Sequence, residues 1–438
     1  MFRYYLKLGL FSIRKNPMLS FLMVAAIAVG IGACMTIMNV DYVMSGNPIP
    51  HRSDVLYHVQ VDSWDPNDAY EEPDLPPEQM TYQDGNALWQ ANAARRQTVS
   101  YKSTRVVQPQ TQGERPFRAL TRSTTGDFFA MFDTPFLYGG GWDRSADLNE
   151  EYVVVIDREV NDRVFGGADS VGESLVLNGR AYRVTGVLDT WEPLPKYYDV
   201  TNGPFDESED VYIPFSVSIS NEIDSSGSTS CWKPSEGGWD GRLASECIWV
   251  QMWVELHGEN EKQEYLAFLA GYVESQKSVG RFGRPMNNRL NNVMEWMDNR
   301  EVVAEDVNVL LGIAVMFLVV CLLNTISLLL AKVARRNGDI SLRRALGASR
   351  RAIFSQYIVE AGMIGAGGGI VGVGMTWLGL QGIRGLYGEL DFIARLVAMD
   401  WPIIFMAIGL AIISALAAAL YPTWRACRVH PASQLKAL

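Results

Sequence analysis

Four long apolar blocks constrain this chain more than any other feature. Residues 18–44, 309–331, 354–380 and 401–421 each supply the ~20 largely uncharged residues that a helix needs to cross a hydrocarbon layer ~30 Å thick. Inside that layer every backbone N–H and C=O needs a partner within its own segment, which favours helices. The predicted spans are 18–44, 307–331, 354–380 and 401–421. Residues 45–306 are left as one insert between the first and second spans, and a segment of that size buries a core of its own. The fold class expected is a membrane protein of four transmembrane α-helices with a large mixed α/β domain inserted between helices 1 and 2.

Charge gives an orientation, because Lys and Arg near span ends stay on the cytoplasmic side whereas acids count for little. Segments 1–17, 332–353 and 422–438 together hold about 14 basic residues against one acid, Asp339, while 45–306 holds about 22 basic against about 43 acidic. Both termini and the 332–353 connection are therefore expected in the cytoplasm, and the insert outside. The net charge of −11 belongs to that outer domain and gives no reason to expect nucleic acid as a partner.

The basic start and apolar run also resemble a signal peptide, with Ile31-Gly32-Ala33-Cys34 mimicking a lipoprotein cleavage box. The run begins only after residue 17 and continues past Cys34 to Met44, which fits a retained span better. Of five cysteines, Cys34 and Cys321 fall in spans and Cys427 in the tail. Cys231 and Cys247 share the outer domain, where an oxidising compartment favours a bridge across the Gly-rich loop between them; two free thiols are the alternative.

Residues 1–17 read as an amphipathic helix lying in the interface, with Arg3, Lys7 and Arg14 on one stripe and Phe2, Leu6, Leu10 and Ile13 on another. In the insert, 55–61, 105–107, 117–120, 153–156 and 251–256 are predicted as strands, and 77–96, 157–164 and 261–275 as helices. Asn178-Gly179 marks a hairpin between 174–177 and 182–187. Residues 190–241, rich in Pro, Ser, Gly and Trp, are expected to be long loops, and 286–306 a helical stalk running into the second span. In the third span Gly362, Gly365, Gly369 and Gly372 suit close helix packing, either within the chain or against a second membrane chain. Few charges lie inside the spans, which argues against a solute path through them.

Ala334 to Ser349, ARRNGDISLRRALGAS, closely resembles the cytoplasmic motif of MacB-like and FtsX-like ABC permeases, with Asp339 where that pattern usually has Glu. The segment from Tyr421 to Leu435 is similar to that family's closing segment. Val153 to Leu188 and Asp210 to Pro214 are similar to the MacB-type periplasmic core domain. The resemblance implies a bacterial inner-membrane permease with a periplasmic domain. The domain layout expected is an interfacial helix 1–17, a periplasmic domain with stalk 45–306, a coupling loop 332–353, a short periplasmic loop 381–400 and a cytoplasmic tail 422–438.

The same resemblance implies that residues 339–348 form a coupling helix for a cytoplasmic ABC ATPase dimer: Asp339, Ile340, Leu342, Arg343, Arg344, Ala345, Leu346, Gly347 and Ala348. Ile340, Leu342, Ala345 and Leu346 are expected to make one apolar stripe with a basic rim, and Gly347 to end the helix. No G-x-x-x-x-G-K-[ST] phosphate loop occurs, so ATP and Mg are expected in a partner chain and no cofactor in this one. No catalytic or metal constellation stands out: His51, His58, His257 and His430 lack ligand spacing. The further partners implied are a second permease, identical or divergent, a periplasmic adaptor with an outer-membrane duct, and membrane lipid. The expected work is mechanotransmission for efflux. Extraction of lipoproteins as in LolC/LolE-like permeases, or FtsX-like regulation of a cell-wall hydrolase, are the alternatives.

Overall fold

The computed structural model describes residues 2–109, 114–303, 305–387 and 401–427. It divides into two compact units, residues 1–45 with 303–438, and residues 46–302.

Among the described residues of the first unit the helices are α1 (Phe2–Lys15), α2 (Pro17–Met44), α3 (Glu305–Arg335), α4 (Asn337–Ala345), α5 (Arg350–Tyr387) and α6 (Trp401–Cys427). Four of them, α2, α3, α5 and α6, are long and apolar enough to cross a membrane. Each outruns its predicted apolar block, because a helix continues past the hydrocarbon edge once its ladder is formed. Thus α5 starts at Arg350 and reaches Tyr387, and α6 runs on through Pro422 to Cys427. Pro17 opens α2 at its first position, where its missing N–H costs nothing. Arg428, His430 and Lys436, and residues 388–400 of the loop expected at 381–400, lie outside the described residues.

The third-span glycines serve two faces of α5. Carbon added at Gly365 would come 2.7 Å from the Ala415 side chain, and at Gly369 3.0 Å from Ile408, both on α6. Carbon at Gly372 would come 3.1 Å from Ile31, and at Gly368 2.7 Å from Ile27, both on α2, whereas Gly362 has only Leu416 at 3.8 Å. The single stripe read from the sequence is therefore two intrachain seams, Gly365/Gly369 and Gly368/Gly372. Gly365→Ala is expected to cost about 1–3 kcal/mol by overpacking, while Gly374→Ala, with open space around it, is expected to be neutral; denaturant unfolding in detergent distinguishes them.

The second unit is built on one mixed sheet. Its strands are β1 (Leu56–Gln60), β2 (Met80–Thr81), β3 (Arg96–Gln108), β4 (Phe117–Thr124), β5 (Phe136–Gly139), β6 (Val153–Ile156), β7 (Ser174–Leu177), β8 (Arg180–Leu188), β9 (Val211–Pro214), β10 (Ile248–Glu255) and β11 (Arg289–Asn292). The order is β11-β1-β10-β3-β4-β9-β6-β8-β5, with β2 beside β10 and β7 beside β3 and β8. Alternation along β6 separates two cores: Val153 and Val155 join Phe128, Trp142 and Tyr212, whereas Val154 and Ile156 join Leu175, Val184 and Ile213. Asn178 and Gly179 turn the β7–β8 hairpin with φ of 47° and 82°. Asp157 caps the helix Arg158–Phe165 by accepting from Val160 N at 2.7 Å.

Three readings of the insert need correction. The helix expected at 77–96 spans only Tyr82–Ala91, since Met80–Thr81 pairs with β10 and Thr81 caps the helix. Residues 190–241 are not all loop: they hold a 3₁₀ helix (Tyr197–Asn202), β9 and the short helices Phe215–Ser220 and Gly238–Leu243, with Tyr197 and Tyr198 buried in the core. No continuous stalk spans 286–306. Arg289–Asn292 pairs with β1, Asn292 and Glu295 make a capping box for the helix Val293–Asn299, and Glu301 at φ 46° turns the chain before α3.

Candidate functional site

The helix α4 sits between α3 and α5 and is fixed from both sides. Arg336 and Ile340 carry the chain off α3, and α4 closes in a Schellman motif. Gly347, at φ 95°, donates to Arg344 O at 3.1 Å, and Ala348 donates to Arg343 O at 3.0 Å. Ser349 then starts α5 by accepting from Ala352 N at 3.2 Å. Only a residue without Cβ holds the Gly347 conformation cheaply.

The side chains of α4 divide differently from the single apolar stripe expected. Ile340 is 4% exposed and packs with Val333, Ile353, Tyr357 and Cys427. Leu342 and Leu346 are 54% and 81% exposed, with Ala345 exposed between them. The reason is geometric: at 100° per residue, 342, 345 and 346 share a face and 340 lies opposite. The basic rim is partly engaged, Arg343 donating to Gln356 Oε1 at 3.1 Å and Arg344 to Cys427 O at 3.4 Å. Asp339 lies 3.8 Å from Lys15 in an exposed pair of little energetic weight. What α4 presents outward is a short apolar ridge of Leu342, Ala345 and Leu346 beside arginines.

Beneath α4 lies a polar knot that the sequence reading missed. Lys332 Nζ is 2.5 Å from Glu360 Oε1, both side chains buried, and also donates to Ser20 Oγ at 3.3 Å. Ser12 donates to the same Glu360 oxygen, and Arg336 donates to Ser12 Oγ at 2.5 Å. The knot thus ties α1, α2, α3 and α5 together at the end that bears α4. Its only sequence signal was one acid in an apolar span facing one lysine at the edge of another.

In the outer domain Cys231 and Cys247 are bonded as a disulfide. His58 stacks on Trp296 and meets Trp253 edge-on, burial holding its pKa down at about 3 with Arg300 adding to the effect. His51 meets Asp133 at 2.9 Å and His257 meets Glu255 at 2.8 Å; His430 lies outside the described residues. Deeper in, Arg122 on β4 is fully buried between Asp199 and Glu209, 2.5 Å from the latter. Lys196 reaches Glu209 at 2.8 Å, and Tyr198 and Gln251 donate to Glu209 and Asp199 at 2.8 and 2.6 Å. Burial alone would raise the Glu209 carboxyl, but Arg122 and Lys196 outweigh it and hold it below the usual range.

Three other carboxyls are shifted the opposite way. Burial pushes Asp147 and Asp157 up to about 7 and Asp210 up to about 6, against hydrogen bonds that lower them. A carboxyl raised in the folded state adds stability below its unfolded pKa and loses it as pH rises through the folded value. His58 acts oppositely: its stability contribution falls as pH drops below ~6.5. Residues 46–302 are therefore expected to lose stability between pH 5.5 and 8, by about 2 kcal/mol for each carboxyl near 7. Urea midpoints across that range check this, with Asp157→Asn flattening the slope.

Four spanning helices with a mixed α/β domain inserted after the first, and a capped amphipathic helix between the second and third, define a multi-pass membrane protein with one large inserted domain. The model of the MacB-like periplasmic core domain matches residues 20–258, and that of the FtsX-like permease C-terminal region matches residues 311–431. The chain belongs to the MacB-like, FtsX-like family of ABC permeases, with a periplasmic domain between its first two spans.

Among curated relatives, the pyoverdine export ATP-binding/permease protein PvdT of Pseudomonas entomophila is 23% identical over 70% of this chain and 41% of that protein. The uncharacterised ABC transporter permease YvrN of Bacillus subtilis is 24% identical over 71% of this chain and 68% of that one. The macrolide export ATP-binding/permease protein MacB of Wolinella succinogenes is 22% identical over 70% and 42%. The chain thus spans about two fifths of the length of the exporters. The crystallised periplasmic region of MacB from Actinobacillus actinomycetemcomitans is similar at 16% identity and a TM-score of 0.37, over 58% of this chain and 95% of that one.

Proposed function

We propose that this chain is the inner-membrane permease subunit of an ABC system in which a separate cytoplasmic ATPase dimer, carrying ATP and Mg, drives conformational change in the periplasmic domain. The observation that carries this reading is the α4 ridge: Leu342, Ala345 and Leu346 stand in solvent on a helix anchored by the buried Ile340 and closed by a Schellman cap. An exposed apolar face so rigidly held suits a groove on a partner. The basic excess at that end supports a cytoplasmic location for both termini and α4.

The ends of α3 and α5 then transmit the push from α4, since the Lys332–Glu360–Ser12 knot moves them with α1 and α2 as one body. The chain works beside a second permease and delivers a periplasmic substrate to an adaptor and outer-membrane duct. The export roles that the names of PvdT and MacB carry support efflux. The test is isolation of the chain from its own membranes in mild detergent, with identification of the co-isolated subunits. An ABC ATPase and a second permease are expected; their joint absence overturns the reading.

A further inference from the structure

Two shallow, open hollows, of about 330 Å³ and 350 Å³, lie beside the start of α5 and share Phe354 and Ser355 in their walls. Arg350, Arg351 and Cys427 complete the first; Tyr5 of α1 with Ile358 and Val359 completes the second. From Arg350 to Val359 the wall descends about 13 Å along the helix at 1.5 Å per residue. One end is basic and the other is apolar and lies within the third span.

Among the described residues no ion pair joins Arg350 or Arg351 to an acid. The acids described at this end are Asp339, which faces Lys15, and Glu360, which is closed by Lys332. An occupant must therefore bring an anionic head to Arg350 and Arg351 and an apolar body along Phe354, Ile358 and Val359. A soluble ATPase has no reach into the apolar length of a span, and free phosphate has no apolar body.

We infer that this groove is a seat for an anionic phospholipid of the leaflet at the α4 end, its phosphate between Arg350 and Arg351 and an acyl chain against Phe354, Ile358 and Val359. Guanidinium pairs suit phosphate oxygens, and basic pockets between spans at the negatively charged leaflet are places where such headgroups bind. The cytoplasmic identity of that leaflet rests on the orientation proposed above.

The full-length chain in detergent is titrated with phosphatidylglycerol, phosphatidylcholine of the same acyl chains, or glycerol phosphate, and bound molecules are counted by native mass spectrometry. Phosphatidylglycerol is expected to bind in preference to the other two. Arg350→Gln with Arg351→Gln is expected to weaken it roughly 10- to 30-fold, and Phe354→Ala to weaken both lipids. Arg384→Gln, an exposed change at the other end of α5, controls for folding and general charge and is expected to leave binding unchanged. Equal binding of the two lipids, binding of glycerol phosphate alone, or undiminished phosphatidylglycerol binding by the double variant would overturn the assignment. So would displacement of the lipid by the co-isolated ATPase or second permease at stoichiometric amounts, which would make the groove a protein interface. The titration is blind to orientation and needs no ATPase, so its failure leaves the proposed function standing.

Discussion

Leu346→Asp combined with Gly347→Trp is expected to abolish co-isolation with the ATPase and to remove any effect of this chain on its hydrolysis rate. Both positions are exposed, so the membrane unit itself has little reason to unfold. The aspartate replaces the most exposed side chain of the apolar ridge with a charge, and the indole at φ 95° forces the Schellman cap to rearrange. Central apolar anchors of an interface commonly carry 2 kcal/mol or more each, so losing the ridge should weaken the complex at least ~100-fold. Ile340→Ala separates anchoring from docking: it hollows the cluster with Val333, Ile353, Tyr357 and Cys427 and is expected to loosen α4 at a stability cost of about 2–5 kcal/mol. Thermal unfolding in detergent reads the second effect, and affinity isolation the first.

The second large effect belongs to the outer domain. Arg122→Met is expected to destabilise residues 46–302 by about 3–5 kcal/mol, because two fully buried carboxylates would keep only Lys196 as a countercharge. These four charges join β4, the 3₁₀ helix and the segment before β9, so the loss should be felt across the sheet. Adding Asp199→Asn should recover part of it, since the orphaned charge goes with it. Urea unfolding of the domain measures both; a loss under about 1 kcal/mol for Arg122→Met would show the network to be dispensable.

The reach of the sequence follows from how local each signal is. Spans are set by apolar length, the β7–β8 hairpin by Asn178-Gly179 and the helix after Asp157 by its cap, and all three are contained in short windows. Gly347 was legible for the same reason. The face of α4 that points inward was not: Ile340 and Leu346 are equally apolar, and only the neighbouring Ile353, Tyr357 and Cys427 decide which is buried. Nothing local marks Arg122, Lys196, Asp199 and Glu209, because their partners lie up to 87 residues apart in sequence. The stalk failed for a related reason: β11 is taken by pairing with β1, more than two hundred residues upstream, which no helical periodicity reports.

Mechanotransmission is tested most directly by a distance. With nitroxides at Val279→Cys in the outer domain and Leu386→Cys at the end of α5, both native side chains being exposed, the chain is reconstituted with its ATPase in nanodiscs. Pulsed electron resonance then compares the nucleotide-free complex with one trapped by ATP. A displaced distance distribution that is lost in the Leu346→Asp, Gly347→Trp variant is the expected result. An identical distribution in both nucleotide states, from a complex that still hydrolyses ATP, would contradict it.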